Sequence, residues 1–345
     1  MKYNNLGNTD IKVSEICLGT MIFGEQNSEA EGHEQMSYAL DKGINFIDTA
    51  ELYSVPGRKE TQGGTETIVG SWLKHQKRED VVLATKCTGP SAGFKYIREN
   101  LNFSKEHLEI ALEGSLKRLQ TDYVDLYQLH WPERKANFFG KLGYVHDQED
   151  QWQDNICEVL ETLDKFVQSG KVRNVGISNE TAWGTMKFLG YSDTKNLPRV
   201  QSVQNPYNLL NRSYEVGLAE VSMREDVSLL AYSPLAFGLL SGKYLDGQKP
   251  SKSRFALFPQ LARYNSEQCF EASKAYNKIA EHHGISLAQL SLAFVNQQPF
   301  VASNIIGATT MEQLKENISS QDIVLGHEAL SQIEEVHKMY TYPAP

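Results

Sequence analysis

The 345-residue chain has only four cysteines, Cys17, Cys87, Cys157 and Cys269, widely scattered and with no C-x-x-C spacing. That argues against a disulfide framework and a zinc site, and the four read as reduced, mostly buried thiols of a cytoplasmic protein. Long apolar runs are missing as well. Residues 287–311 are uncharged, but Asn296, Gln297, Gln298, Pro299 and Asn304 interrupt them before a bilayer-length stretch develops. The N-terminal MKYNNLGNTDIKVS lacks the apolar core of an export signal, so a soluble protein is expected. With 34 basic against 43 acidic residues, a net charge of −9 and no block of like charges, neither nucleic acid nor an anionic membrane is an expected partner. His33, His75, His107 and the EHH at 281–283 lie on helix-period stretches and read as solvated side chains, so no metal is expected.

What is present is alternation. Short β-rich runs recur at 16–20, 44–50, 81–87, 124–131, 172–179, 200–207, 227–235 and 301–308. Between them lie helix-period stretches, among them 28–42, 64–76, 104–119, 155–169, 213–224, 266–282 and 310–318, with Ser28, Ser104, Ser213, Ser266 and Thr310 as candidate N-caps. Strand–helix alternation means parallel strands joined by crossover helices. A doubly wound dinucleotide sheet would want G-x-G-x-x-G after an early strand, and the chain offers only LGTMIFG at 18–24. The α/β class therefore resolves to a (β/α)8 TIM barrel. Residues 1–14 would form a hairpin at its base and 326–339 an outer helix. No repeat or linker divides the chain, so 1–345 reads as one barrel domain. Segments 54–63, 132–154 and 236–265 are too long to be plain connections, and loops that follow barrel strands gather at the C-terminal mouth, where active sites sit.

The run INFIDTAELY at 44–53 raises the chemical question. Five residues apart, Asp48 and Tyr53 would diverge by about 140° on a helix and face opposite sides of a strand. They can converge only across a strand end and its loop. Other strands end in polar groups too: Lys86, His130, Ser178, Asn179, Gln204 and Tyr232. Singly, each has a bland explanation, such as an emerging lysine or a hydrogen-bonded core histidine; together at one mouth they do not.

GINFIDTAELY, TKC, YVDLYQLHWP, VGISN, QNPYN, AYSPLAFGLLSGKY and GATTMEQLKENI, spread over essentially the whole chain, resemble the aldo-keto reductases, in particular the bacterial Tas-like members near the potassium-channel β subunits. The resemblance implies a catalytic tetrad of Asp48, Tyr53, Lys86 and His130, and NADPH/NADP+ as cofactor. Chemistry agrees with those residue types, because hydride reduction of a carbonyl leaves charge on oxygen that needs a proton donor. A phenol of pKa ~10 must be lowered by about 4 kcal/mol to reach neutrality, close to what a cation at ~4 Å supplies at an effective dielectric of ~20. Lys86 is the candidate cation, Asp48 its anchor and His130 a hydrogen-bond partner of the carbonyl oxygen.

By the same resemblance Tyr232 stacks on the nicotinamide, and Ser178, Asn179 and Gln204 bind its carboxamide. Ser233, Pro234, Leu235, Ala236, Phe237 and Gly238 would line the diphosphate, with Lys243 and Arg254 reaching in. Gly307, Thr309 and Gln313 lie near the 2′-phosphate, Glu316 and Asn317 at the adenine, and Thr20 and Met21 line the cleft. Gly307 and Gln313 stand where many family members carry basic residues, while Gln313 with Thr309 matches the channel-β pattern. Trp131, with Phe138, Phe139, Tyr144 and Trp152 of the insertion after strand four, would wall the substrate side, unless these aromatics merely anchor a long loop. The expected activity is NADPH-dependent reduction of small-molecule aldehydes or ketones. Alternatives are a nicotinamide-loaded regulatory or sensor subunit with slow chemistry, and a Schiff-base aldolase built on Lys86.

Overall fold

The computed structural model describes residues 1–344 apart from 249, 252 and 259–262. Eight parallel strands close into a barrel: β3 (Ile16–Gly19), β4 (Phe46–Asp48), β5 (Val82–Cys87), β6 (Val124–Leu129), β7 (Val172–Ser178), β8 (Val200–Pro206), β9 (Ser228–Tyr232) and β10 (Val301–Ile306), with β10 pairing back onto β3. All eight expected strands are present. β5 and β6 are buried along their whole length, as expected of parallel strands covered on both faces.

Along each strand one set of side chains meets the surrounding helices and the other fills the barrel. The inner set includes Cys17, Phe46, Val82, Ala84, Leu126, Leu230, Ala302 and Ile305. The expected hairpin, β1 (Tyr3–Asn5) antiparallel to β2 (Lys12–Ser14), closes the base, and its Leu6 and Val13 enter that same cluster. The Ser303 hydroxyl donates to the Ser14 carbonyl at 2.7 Å and the Asn304 amide to the Glu15 carbonyl at 2.8 Å. Gly7 permits the seating: its φ is +57°, and a Cβ there would stand 2.5 Å from the Gln201 carbonyl oxygen.

Ser28, Ser266 and Thr310 cap helices as expected. Ser104 occupies a cap position without a side-chain bond, and Ser213 begins a short 3-10 turn, the helix proper starting at Leu218. Besides the one-turn helix Arg254–Leu257, two helices among the described residues fall outside the stretches named above, Ala182–Lys195 and Leu287–Asn296. The first exposes Trp183 and Met186 while burying Gly184, Thr185 and Ser192, which blurs its periodicity. The second is buried almost all round and so shows no polar face. The outer helix His327–Met339 ties to the barrel through Arg212–Glu334 and His283–Gln332. His33 is likewise held, by Ser71 and the Ile68 carbonyl, so these two histidines are bonded rather than freely solvated. Among the described residues no helix is long and apolar enough to cross a membrane.

Candidate active site

Two residues above the apolar filling, the same inward faces turn polar. Asp48 follows Phe46 on β4, Lys86 follows Ala84 on β5, Gln128 follows Leu126 on β6 and Tyr232 follows Leu230 on β9. The Lys86 ammonium donates to Asp48 Oδ1 at 2.6 Å, to the Thr49 carbonyl at 2.8 Å and to the Tyr53 hydroxyl at 3.4 Å. Lys86 therefore joins the strand-end aspartate to the loop tyrosine. Asp48 Oδ2 accepts from Gln204 at 2.8 Å and Gln128 at 3.2 Å. The His130 ring meets the Tyr53 ring edge-on, centroids 5.7 Å apart, and its buried Nδ1 has no hydrogen-bond partner among the described residues.

The loop carrying Tyr53 is fixed by its neighbours. The Glu51 amide donates to the Lys86 carbonyl at 3.2 Å and the Val55 amide to that of Met21 at 3.0 Å. The Glu51 carboxylate, 1% exposed, accepts from the Thr88 amide at 2.6 Å and from both terminal nitrogens of Arg98 at 2.6 and 2.8 Å.

Burial raises the Tyr53 phenol above its ordinary pKa. Lys86 pulls it down and Asp48 pushes it up, so the net direction is upward. The expectation that Lys86 brings this phenol toward neutrality is thus overturned, because desolvation is larger than the attraction of a cation shared with Asp48. Burial would lower the Lys86 ammonium, but Asp48 and Tyr53 outweigh it and its pKa lies above the usual value. Burial, reinforced by Lys86, holds His130 well below the ordinary imidazole range. At neutral pH the site therefore contains a protonated phenol, an ammonium and a neutral imidazole.

Along the mouth, the Ser178 hydroxyl donates to the Gln204 carbonyl at 2.7 Å, and the Asn179 amide nitrogen donates to the His130 carbonyl at 2.8 Å and to Ser178 at 3.1 Å. The Tyr232 hydroxyl donates to Asn179 Oδ1 at 2.6 Å, and burial pushes its pKa up to about 12. Thr20 is buried, its hydroxyl donating to the Asp48 carbonyl at 2.9 Å.

After β9 the backbone is unusual. Ser233, Ala236, Phe237 and Gly238 all have positive φ, 56°, 47°, 57° and 91°, whereas the intervening Pro234 is buried and Leu235 packs on the core. Non-glycine residues in this region cluster at ligand sites, and successive left-handed residues can make an amide concavity suited to anions. Lys243 closes over it: a Cβ on Gly238 would stand 2.7 Å from Lys243 Nζ. Lys243 and Arg254 have no ion pair among the described residues, and burial lowers the pKa of both.

At the far rim, Thr310 caps the helix Met311–Ser319, and Gln313 Oε1 accepts from the Thr309 amide and hydroxyl at 3.0 and 3.1 Å. Asn317 donates to the Gly307 carbonyl at 3.2 Å, and Glu316 accepts from Ser286 at 2.6 Å.

The insertion 132–154 does not gather all its aromatics. Trp131, Phe138 and Phe139 form a wall beside His130, with centroid separations of 4.9 Å (His130–Trp131), 5.6 Å (Trp131–Phe139) and 5.0 Å (Phe138–Phe139). Tyr144 instead projects into solvent beside His146, and Trp152 packs toward Trp183.

The aldo/keto reductase family model matches residues 15–338. The chain belongs to the aldo/keto reductase family. It is 52% identical over 352 residues to Protein tas of Escherichia coli (strain K12), covering all of both chains. It is 34% identical to the uncharacterized oxidoreductase YrpG of Bacillus subtilis (strain 168), over 100% of this chain and 97% of that one. It is also 30% identical to a probable voltage-gated potassium channel subunit beta of Arabidopsis thaliana, over 97% and 96%. As a member of this reductase family the chain is an oxidoreductase, on a closed eight-stranded barrel.

Sequence reasoning left out three polar groups of this reductase site. Gln128 lies inside YVDLYQLHWP as an amide in an otherwise buried strand, and Glu51 stands within the very run that raised the question. Arg98 carries no such signal, since the sequence does not bring it near Glu51.

Proposed function

We propose that the chain reduces aldehydes or ketones to alcohols with NADPH, a carbonyl compound, NADPH and a proton giving an alcohol and NADP+. The observation that carries this is the buried Lys86 ammonium bonded at once to Asp48 and to the Tyr53 hydroxyl. NADPH, when bound, supplies the hydride that no side chain can give. Tyr53, protonated and oriented by Lys86, donates its proton to the carbonyl oxygen; Lys86 stabilises the phenolate that results; Asp48 keeps Lys86 charged and in place. His130, neutral, hydrogen-bonds the carbonyl oxygen.

The residues fit the cofactor. The left-handed run 236–238, with Lys243 and Arg254 free of ion pairs among the described residues, suits a diphosphate, and Tyr232 offers a ring face for the nicotinamide beside Ser178, Asn179 and Gln204. Thr309, Gln313 and Asn317 at the capped helix suit the 2′-phosphate and adenine end, with Gly307 leaving space and Glu316 close by. We favour NADPH over NADH on the Thr309–Gln313 pairing. Thr20 and Met21 flank the cleft, and Trp131 takes the substrate side. The free, largely buried thiols suit a reducing cytoplasm, and residues 1–345 act as one unit.

Steady-state NADPH oxidation with 4-nitrobenzaldehyde or methylglyoxal tests the reading, and robust turnover is expected. The likeness to the Arabidopsis channel subunit favours a second reading, a cofactor-loaded regulatory subunit; tight NADPH binding with negligible turnover across a carbonyl panel would establish it. A Schiff-base role for Lys86 is disfavoured by its raised pKa, since such lysines need a free amine, and borohydride trapping with substrate should label nothing.

A further inference from the structure

Arg263 is left without a role by the roles assigned above. It lies at the end of the long loop after β9, half-buried, and among the described residues it has no ion pair. Its Nη1 reaches the Tyr232 hydroxyl at 3.5 Å. Its guanidinium lies 6.0 Å from the Phe237 ring centroid and 5.9 Å from that of Phe139. What it touches separates it from Lys243 and Arg254. Those two gather around Gly238, Tyr244 and Phe237, whereas Arg263 also reaches across to the insertion, where a Cβ on Gly140 would stand 3.5 Å from its Nε. A cation held among aromatic rings, without a carboxylate, at the edge of a reaction cleft is a receptor for an anion.

The wall it faces is aromatic. Trp131 shares a buried cluster with Tyr53, Phe94 and Phe138 pack against that cluster, and Phe139 continues the surface outward. We propose, resting on the carbonyl-reductase reading, that the preferred substrate is an aromatic aldehyde or ketone bearing a carboxylate, its ring against Trp131, Phe138 and Phe139 and its carboxylate on Arg263. The flat guanidinium matches a carboxylate through paired N–H groups, which an ammonium cannot reproduce.

The probe is 4-carboxybenzaldehyde, with methyl 4-formylbenzoate as its uncharged counterpart. Titrated calorimetrically into NADP+-loaded protein, the acid should bind wild type more tightly than the ester. Arg263→Met should reduce that preference by about tenfold or more, and Arg263→Lys should restore part of it. In NADPH turnover the ratio of kcat/KM values for acid over ester should follow the same order. Loss of acid and ester binding in equal measure, or no preference in wild type, overturns the inference. A matching loss of NADP+ affinity in Arg263→Met also overturns it, by assigning the arginine to the cofactor. Arg263-dependent binding of the acid without any NADPH oxidation would uphold the anion site while sinking the reductase reading. Thermal melts of both variants confirm that each is folded.

Discussion

The base and the mouth of the barrel are built from the same strands, two residues apart. Phe46, Ala84, Leu126 and Leu230 meet Leu6 and Val13 below; Asp48, Lys86, Gln128 and Tyr232 stand above them. A step of two keeps the side chain on the same face, so backbone geometry is shared and only chemistry differs. The base needs shape and volume alone, and burial there is favourable whatever its neighbours do. In the mouth, Asp48 and Lys86 are as deeply buried, at 3% and 0% exposure, and are tolerable only as partners. One layer stabilises the fold while the other takes on desolvation for the sake of reactivity.

Tyr53→Phe should break that division most sharply. It removes the proposed proton donor and is expected to lower kcat for carbonyl reduction by about 10²–10⁴-fold, with NADPH affinity by fluorescence titration near wild type; equal loss of binding would make Tyr53 part of the frame. The opposite lesion is Leu6→Ala at the base. A loss of about 2–5 kcal/mol in urea unfolding is expected, with kcat per folded molecule retained, and an inactive but fully stable variant would show the two layers to be coupled.

A pH profile sharpens the contrast further. In the proposed mechanism reduction uses the protonated phenol, which burial keeps protonated through neutrality, so kcat should stay flat there. Alcohol oxidation by the same proposed route would need the phenolate and should climb about tenfold per pH unit on the alkaline side; a plateau already at pH 7 would mean a phenol far more acidic than this environment produces. The smallest effect belongs to His130. Its folded pKa lies below the ordinary 6.5, so the unfolded chain binds more protons; the histidine's contribution is complete above pH 6.5 and is lost as pH falls through the folded value. Urea midpoints should therefore decline with acidification, less steeply in His130→Gln, and identical slopes would place the acid sensitivity elsewhere.

The strands were legible because parallel barrel strands are continuously apolar and end abruptly in polar residues. The convergence of Asp48, Tyr53, Lys86 and His130 was legible because ionisable types are unusual at the ends of apolar strands, and the structure brings the four together. Helix 287–296 carried no amphipathic signature, since it is buried on nearly every side. The direction of the Tyr53 pKa could not be read, because it turns on how deeply the hydroxyl is buried and on Lys86 being shared with Asp48. Nor could the grouping of the insertion's aromatics: Trp152 and Phe138 are 14 positions apart in one loop, yet nothing in their order says which of them turns inward.

Glu51 has a mechanical consequence. Its carboxylate grips the Thr88 amide beyond β5 while its amide holds the Lys86 carbonyl, and Arg98 clamps it from outside. The tyrosine's loop and the lysine's strand end are thus bonded to each other through backbone and carboxylate contacts that none of the residues 138–147 makes. Exchanging residues 138–147 should change substrate choice while leaving the Lys86–Tyr53 bond in place, giving an engineer a replaceable cover over a fixed engine.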